Sequence, residues 1–146
     1  MTILIDADGC PVVDITIKVA GRYNIGCVII CDTSHVFEKA GARTITVSKG
    51  PDSVDFALVN MVRPGDVVIT QDYGLAAICL ARKAIPISQD GMVYTGDNID
   101  ALLLARHTAK KIRMSGGRLR GSPKRTPEQN IKFEAKLEEV IQNEKS

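Results

Sequence analysis

The stretch Thr2-Ile3-Leu4-Ile5-Asp6-Ala7-Asp8-Gly9 decides the fold predicted for this chain. A short apolar run ends directly in two carboxylates that stand two positions apart. In an open parallel sheet, ligands bind just beyond the carboxyl ends of the strands. A buried strand that stops at Asp6 and Asp8 therefore places two acids where a site is expected. Two like charges this close repel each other unless a cation neutralises them, and a divalent hard ion is the simplest candidate.

The rest of the chain alternates predicted strands with predicted helices. Apolar runs predict further strands at residues 27–31, 44–47, 66–70 and 85–88, with a short return strand at 93–94. Because Pro86 cannot donate to a central ladder, the strand at 85–88 is expected to be peripheral. Helices are expected at residues 11–23, 34–40, about 52–63, 73–83, 98–114 (capped by Asn98) and from 127 onward. This alternation predicts an α/β fold with a mostly parallel central sheet and helices on both faces.

Composition places the chain among ordinary soluble globular proteins. It has 146 residues, of which 45% are hydrophobic and 25% are charged. No apolar run approaches the length of a membrane span, and the amino terminus lacks the pattern of a signal peptide. We therefore expect a cytoplasmic protein with four reduced cysteines and no membrane partner. We expect an α/β domain over residues 1–114, with a basic loop and C-terminal helix (115–146) packed on the same domain.

The net charge of +2 conceals a strong asymmetry along the chain. Residues 1–105 carry 8 basic and 12 acidic side chains, a balance of −4, whereas residues 106–125 carry 8 basic side chains and no acid. An acidic body with one basic segment suggests a polyanionic partner, with nucleic acid first and RNA preferred. Sparse aromatic residues favour contact with the backbone over base stacking. The alternative is a solvated, solubilising segment. The candidate contacts are Lys110, Lys111, Arg113, Arg118, Arg120, Lys124 and Arg125.

Acidic residues from three segments are expected to meet at one edge of the predicted sheet. Asp6 and Asp8 follow the first strand, Asp72 follows the fourth, and Asp52 and Asp55 open the helix after the third. Carboxylates gathered around one or two Mg²⁺ or Mn²⁺ ions form a site suited to phosphodiester cleavage. Each acid also has a structural interpretation, as a turn residue or as a helix cap. The cap is favoured for Asp52, and both interpretations stay open for Asp55.

Four motifs give the chain a resemblance to a known family. They are Asp6-Ala7-Asp8-Gly9-Cys10-Pro11, Gly65-Asp66-Val67-Val68-Ile69-Thr70-Gln71-Asp72-Tyr73-Gly74-Leu75-Ala76, Asn98-Ile99-Asp100 and Pro123-Lys124-Arg125-Thr126. Together they resemble the bacterial YaiI/YqxD family, which is regarded as similar to PIN domains, the metal-dependent ribonuclease fold. The resemblance implies a three-layer PIN-like fold.

The same resemblance implies roles for particular residues. Asp6, Asp55 and the run Thr70-Gln71-Asp72 match the places of PIN-domain acids and of the Ser/Thr-x-Asp motif, and Asp8 would be an additional acid. Asp6, Asp8, Asp55 and Asp72 would hold the metal, and Thr70 would support the site. The chain departs from the pattern after Asp72, because Tyr73, Gly74 and Leu75 stand where a further acid is usual. The nearest substitute, Asp90, is better interpreted as a turn residue.

Three functions compete at this point. The first is a Mg²⁺- or Mn²⁺-dependent nuclease acting on RNA. The second is a phosphatase of the haloacid-dehalogenase type, with Asp6 as nucleophile and Asp8 as acid/base. The run Gly9-Cys10-Pro11 lacks the pattern expected of that phosphatase, and no cap domain is evident. The third is a nucleic-acid-binding protein without catalysis. The oligomeric state stays open.

Overall fold

The structure is a computed structural model that describes residues 1–34, 38–114, 116 and 124–145, with side chains for all of these except 113 and 114. The strands are β1 (Thr2–Asp6), β2 (Gly26–Asp32), β3 (Arg43–Val47), β4 (Val67–Ile69) and β5 (Ile85–Ile87). The helices are α1 (Val13–Arg22), α2 (Ser53–Met61), α3 (Tyr73–Ala81), α4 (Gly96–Met114) and α5 (Pro127–Lys145).

The five strands form one parallel sheet in the order β3-β2-β1-β4-β5. In the central strand, Ile5 pairs with Ile29 of β2 and with Ile69 of β4. The chain builds the sheet outward from β1 in one direction and then returns to build it in the other, so strand order reverses between β1 and β4. Such a switch point opens a crevice beyond the carboxyl ends of the two strands. The predicted α/β fold with a mostly parallel sheet is confirmed.

Side chains that alternate along the strands fill two cores, one on each face of the sheet. On one face, Ile3 and Ile5 pack in a cluster with residues of α1 and with Phe133 and Leu137 of α5. On the other face, Leu4 belongs to a cluster that includes residues of α2 and α3. A strand whose two faces are both covered reads as a continuous apolar run, which is the pattern of residues 2–5. The result is the three-layer arrangement that the sequence predicted.

Two local predictions need correction. Residues 34 and 38–40 are not helical, and residues 35–37 lie outside the described part of the chain. Here the backbone turns because the carboxylate of Asp32 accepts a hydrogen bond of 2.7 Å from the amide of Ser34. The cap of α4 is Thr95 and not Asn98. The Thr95 hydroxyl accepts from the Asn98 amide (3.2 Å) while the Asn98 side chain accepts from the Thr95 amide (2.8 Å), a reciprocal box.

Other expectations hold. The strand containing Pro86 lies at the edge of the sheet, and the expected return strand is reduced to one antiparallel bridge between Ile87 and Val93. All four cysteines are free. None of the helices in the described ranges combines the length and the hydrophobicity that crossing a bilayer requires.

Helix α5 supplies a test of this packing. Phe133 is fully buried against the sheet, whereas Ile131 of the same helix is 69% exposed. Phe133→Ala removes a large buried side chain, so the free energy of unfolding should fall by about 3–5 kcal/mol. The control Ile131→Ala should change it by less than about 0.5 kcal/mol. Urea unfolding followed by circular dichroism measures both, and equal losses would contradict the assignment of the apolar face.

Candidate active site

The hydroxyl of Thr70 joins the ends of β1 and β4 at the switch point. It donates a hydrogen bond of 2.8 Å to Oδ2 of Asp6 and accepts one of 3.0 Å from the backbone amide of Asp72. Thr70 is itself only 2% exposed, and its carbonyl oxygen accepts a hydrogen bond of 3.1 Å from the buried hydroxyl of Tyr94. This arrangement fixes the position of Asp6 relative to the backbone of Asp72, although the two residues are far apart in the sequence.

A cleft of about 440 Å³ opens beyond these strand ends, and acidic side chains dominate its walls. All four acids predicted to hold metal line it, together with two that were not predicted to do so. Asp32 was missed, although it ends β2 and obeys the same rule about strand ends. The six acids are Asp6, Asp8, Asp32, Asp52, Asp55 and Asp72.

Two of these acids stand at the beginnings of helices, with different outcomes. Asp72 is the N-cap of α3, and its Oδ1 accepts a hydrogen bond of 3.2 Å from the amide of Leu75. It therefore caps the helix and lines the cleft at once. Asp52 occupies the N-cap position of α2, but its side chain makes no hydrogen bond to the helix, so the predicted capping by its carboxylate is wrong. Its backbone has a φ of 61°, in the left-handed region, whereas a capping residue usually adopts an extended conformation.

The acids perturb each other's protonation. Burial is the largest cause of the raised pKa of Asp6, and the charges of Asp72 and Asp8 add to it, while the hydrogen bond from Thr70 opposes them. Burial also raises the pKa of Asp55 to about 6, reinforced by the negative charges of three neighbouring aspartates (Asp72, Asp6 and Asp52). In both cases burial disfavours the charged carboxylate first, and repulsion from neighbouring carboxylates adds to this effect.

One arginine faces this negative charge. Arg106 of α4 lines the cleft, and its guanidinium Nη1 lies 3.8 Å from Oδ1 of Asp72. Among the described residues that line the cleft it is the only lysine or arginine. Arg106 falls within the helix predicted at residues 98–114 and opens the basic segment, but the sequence did not assign it to the site. The missing information is the path of α4, which packs against α3 and so returns to the acidic residues.

The donor set fits a hard, hydrated cation better than a closed metal cage. No group of three or more His, Cys, Asp or Glu side chains within the described ranges is already arranged to hold a metal ion. Oδ2 of Asp6 accepts from Thr70 and Oδ1 of Asp72 accepts from Leu75, so the fold already engages part of each carboxylate. Mg²⁺ retains several waters and is commonly bound through one or two carboxylates. Carboxylate oxygens that are crowded and partly buried therefore suit Mg²⁺ or Mn²⁺.

The predicted nucleic-acid contacts divide into three groups. Lys110 and Lys111 of α4 and Lys124 are exposed, as a contact with a polyanion requires. The side chain of Arg113 and all of Arg118 and Arg120 lie outside the described part of the structure.

Arg125 has a structural role that the sequence did not reveal. Its guanidinium donates to the carboxylate of Asp90 (2.8 Å), the carbonyl oxygen of Gln89 (2.6 Å) and the side chain of Asn130 (2.7 Å). Three of the five N–H donors of Arg125 thus serve internal partners, and its assignment to phosphate binding stays a prediction beside this anchoring role. The same contacts hold Asp90 in its turn, and it does not line the acidic cleft.

Fold and site together define the class of this protein: an α/β protein whose parallel sheet carries an acidic cleft at its topological switch point. The chain matches the family described as "Uncharacterized BCR, YaiI/YqxD family" over residues 4–143, and it belongs to that family.

Relatives match along nearly their whole length. The UPF0178 protein of Exiguobacterium sibiricum is 52% identical over 141 residues, which cover 97% of this chain and 96% of the relative. The UPF0178 protein of Ruminiclostridium cellulolyticum is 48% identical over 137 residues (94% and 90%), and that of Natranaerobius thermophilus is 44% identical over 146 residues (100% and 99%). No solved structure matches the chain.

The raised pKa of Asp55 gives a pH-dependent prediction. The folded state binds a proton at Asp55 more tightly than the unfolded state does. Protonation of Asp55 therefore contributes to the stability of the fold, and this contribution is complete below about pH 4. It is lost as the pH rises through about 6. Asp55→Asn resembles the protonated carboxyl at every pH. In chelated buffer at pH 7.5 we expect it to stabilise the fold by about 1 kcal/mol after allowance for solvent screening, or about 3 °C in Tm.

Thermal unfolding of wild type and Asp55→Asn at pH 7.5 and pH 4 measures this effect. The stabilisation should shrink toward zero at pH 4. The control Asp100→Asn changes an exposed aspartate of α4 that does not line the cleft, and it should not reproduce the pattern. A stabilisation by Asp55→Asn that is the same at both pH values would contradict the electrostatic origin.

Proposed function

We propose that this protein is a metal-dependent nuclease that cleaves RNA phosphodiester bonds in the acidic cleft. The observation that carries the proposal is the hydrogen-bonded set of Asp6, Thr70 and Asp72 at the switch point, within a cleft lined by six aspartates. The resemblance to PIN domains supports it, since Asp6, Asp55 and the run Thr70-Gln71-Asp72 match that pattern. Burial and like charge raise the pKa values of Asp6 and Asp55, and a bound cation would relieve this repulsion.

In this proposal the residues of the cleft have separate roles. Asp6, Asp8, Asp55 and Asp72 offer oxygen ligands to Mg²⁺ or Mn²⁺. Such an ion, when bound, polarises the phosphoryl oxygen and lowers the pKa of a coordinated water. Thr70 contacts neither ion nor RNA but keeps Asp6 oriented through its hydroxyl, as residues behind a metal ligand commonly do.

Basic side chains would bind the RNA backbone outside the cleft. Lys110 and Lys111 lie on the same helix as Arg106, which places positive charge along α4 leading away from the acids. Lys124 adds an exposed charge before α5. Arg113, Arg118 and Arg120 stay among the proposed contacts with the RNA backbone. Each phosphate contact should add to the salt dependence of binding.

Cleavage of labelled RNA by purified protein tests the activity. We expect turnover that requires Mn²⁺ or Mg²⁺ and stops on chelation. Asp6→Asn and Asp72→Asn should each reduce the rate by at least about 100-fold, because each removes a charged oxygen ligand. Asp100→Asn should retain the wild-type rate. Equal cleavage by wild type, Asp6→Asn and Asp72→Asn would identify a contaminating nuclease and contradict the proposal.

The same assay separates the two alternatives. Turnover of small phosphomonoesters without RNA cleavage would support the phosphatase, in which Asp6 acts as a nucleophile. Salt-sensitive RNA binding without metal-dependent turnover would support a binding protein that lacks catalysis.

Metal binding can be measured without any substrate. A ligand that binds only the folded state stabilises it by about 2.7 kcal/mol at 100 times its dissociation constant. Mn²⁺ should therefore raise the Tm of the wild type at pH 7.5 by several degrees and leave that of Asp6→Asn nearly unchanged. An equal rise in both proteins would place the bound ion away from the acidic cleft.

A further inference from the structure

Arg106 stands apart from the other basic residues because it enters the cleft. Its side chain is 63% exposed, and the 3.8 Å separation from Asp72 is longer than a charge-assisted hydrogen bond, which measures about 2.7–2.9 Å. Oδ1 of Asp72 already accepts from the amide of Leu75. The guanidinium is therefore attracted to Asp72 without being locked to it, and most of the side chain is accessible to solvent.

We propose that Arg106 is the phosphate-positioning residue of this cleft, and that its contact with Asp72 couples phosphate binding to cation binding. The inference rests on the proposed function and adds the residue that recognises the substrate's charge. We therefore expect Arg106 to weaken the binding of the cation and to strengthen the binding of the phosphate, two effects of opposite sign.

Electrostatics of the cleft require such a residue. A phosphodiester that enters a space lined by six aspartates meets repulsion from its walls. Arg106 is the one described lysine or arginine on those walls, so it is the side chain placed to offset that repulsion. A guanidinium presents paired N–H donors that match two phosphate oxygens, a geometry that a lysine ammonium does not reproduce.

The link to Asp72 supplies the coupling. Before a cation is present, Arg106 is the positive charge nearest to Asp72 in the described part of the cleft. A divalent ion held by Asp72 would weaken the attraction of this carboxylate for the guanidinium, which would leave Arg106 available to the phosphate. Coupling between two binding events is reciprocal, so bound phosphate should in turn favour the cation.

A purely structural role makes a different prediction. An exposed ion pair at this distance contributes little to stability, since solvent screens it and both side chains lose freedom. If Arg106 served only to hold α4 against α3, its removal would weaken cation and RNA binding together.

The first experiment measures the cation alone. Calorimetric titration with Mn²⁺ in the absence of RNA is compared for wild type, Arg106→Ala, Arg106→Lys and Arg63→Ala. Arg63 is an exposed arginine between α2 and β4, so it lies at the amino ends of the strands, away from the cleft. It serves as the charge-matched control. We expect Arg106→Ala to bind Mn²⁺ about threefold more tightly, because a competing positive charge is gone. Arg106→Lys and Arg63→Ala should stay close to wild type.

The second experiment measures RNA with the same four proteins. Fluorescence anisotropy of a labelled 12-nucleotide oligouridine is recorded over a series of monovalent salt concentrations in Ca²⁺, an oxygen-ligated cation that replaces Mg²⁺ in this assay. Arg106→Ala should bind about tenfold more weakly and lose about one unit of salt slope. Arg106→Lys should keep the salt slope but bind several-fold more weakly, since it lacks the paired donors. Arg63→Ala should match wild type.

The pattern of signs decides the outcome. Tighter Mn²⁺ and weaker RNA in Arg106→Ala support the inference. If Arg106→Ala behaves like Arg63→Ala in both titrations, or if both affinities fall together, the inference is overturned while the proposed nuclease stands. If wild type itself binds no Mn²⁺, the proposed function fails and the inference falls with it, a result visible before any variant is compared.

Discussion

The carboxyl end of this sheet depends on one hydroxyl group. Thr70 donates to Asp6 and accepts from the amide of Asp72, so a single side chain fixes the end of β1 against the turn that follows β4. Tyr94 holds the carbonyl of the same residue from the other side. Because Thr70 is almost fully buried, these bonds are shielded from competing water. The spacing of the acids in the cleft is therefore a property of the folded backbone.

The acidic cleft costs the protein stability that the fold only partly recovers. Asp72 caps α3, and Asp55 lies in the first turn of α2, so each meets the positive end of a helix dipole. The raised pKa values of Asp6 and Asp55 show that this stabilisation falls short of the repulsion and burial. Carboxylates with raised pKa values in a cleft are typical of functional sites.

The features that depend on neighbouring residues along the chain could be predicted from the sequence. Apolar runs that end in acids predicted the strands and the convergence of Asp6 and Asp72, because parallel strands bring their carboxyl ends to one edge. The same rule about strand ends also covers Asp32, the last residue of β2. The sequence did not identify Thr95 as the cap of α4. In the run Thr-x-x-Asn either polar residue can cap a helix, and only the backbone shows that Thr95 is the one that precedes the first helical residue.

Arg106 and Arg125 could not be assigned from the sequence because their roles depend on distant partners. Arg125 binds Asp90, which is 35 residues away, and this pairing requires the path of the chain between α4 and α5 to be known. A run of basic residues looks uniform in sequence, since net charge carries no information about which side chains find internal acids. The structure separates the run into a residue that enters the cleft, exposed lysines and an internal anchor.

That anchor gives the charge asymmetry of the sequence a spatial meaning. Arg125 is tied to the turn at Gln89 and Asp90, and the amide of Gln89 donates to the side chain of Gln71, which lines the acidic cleft. At the other end of the basic segment, Arg106 lies in the cleft itself. The acidic strand ends and both described ends of the basic segment therefore lie at the same edge of the sheet.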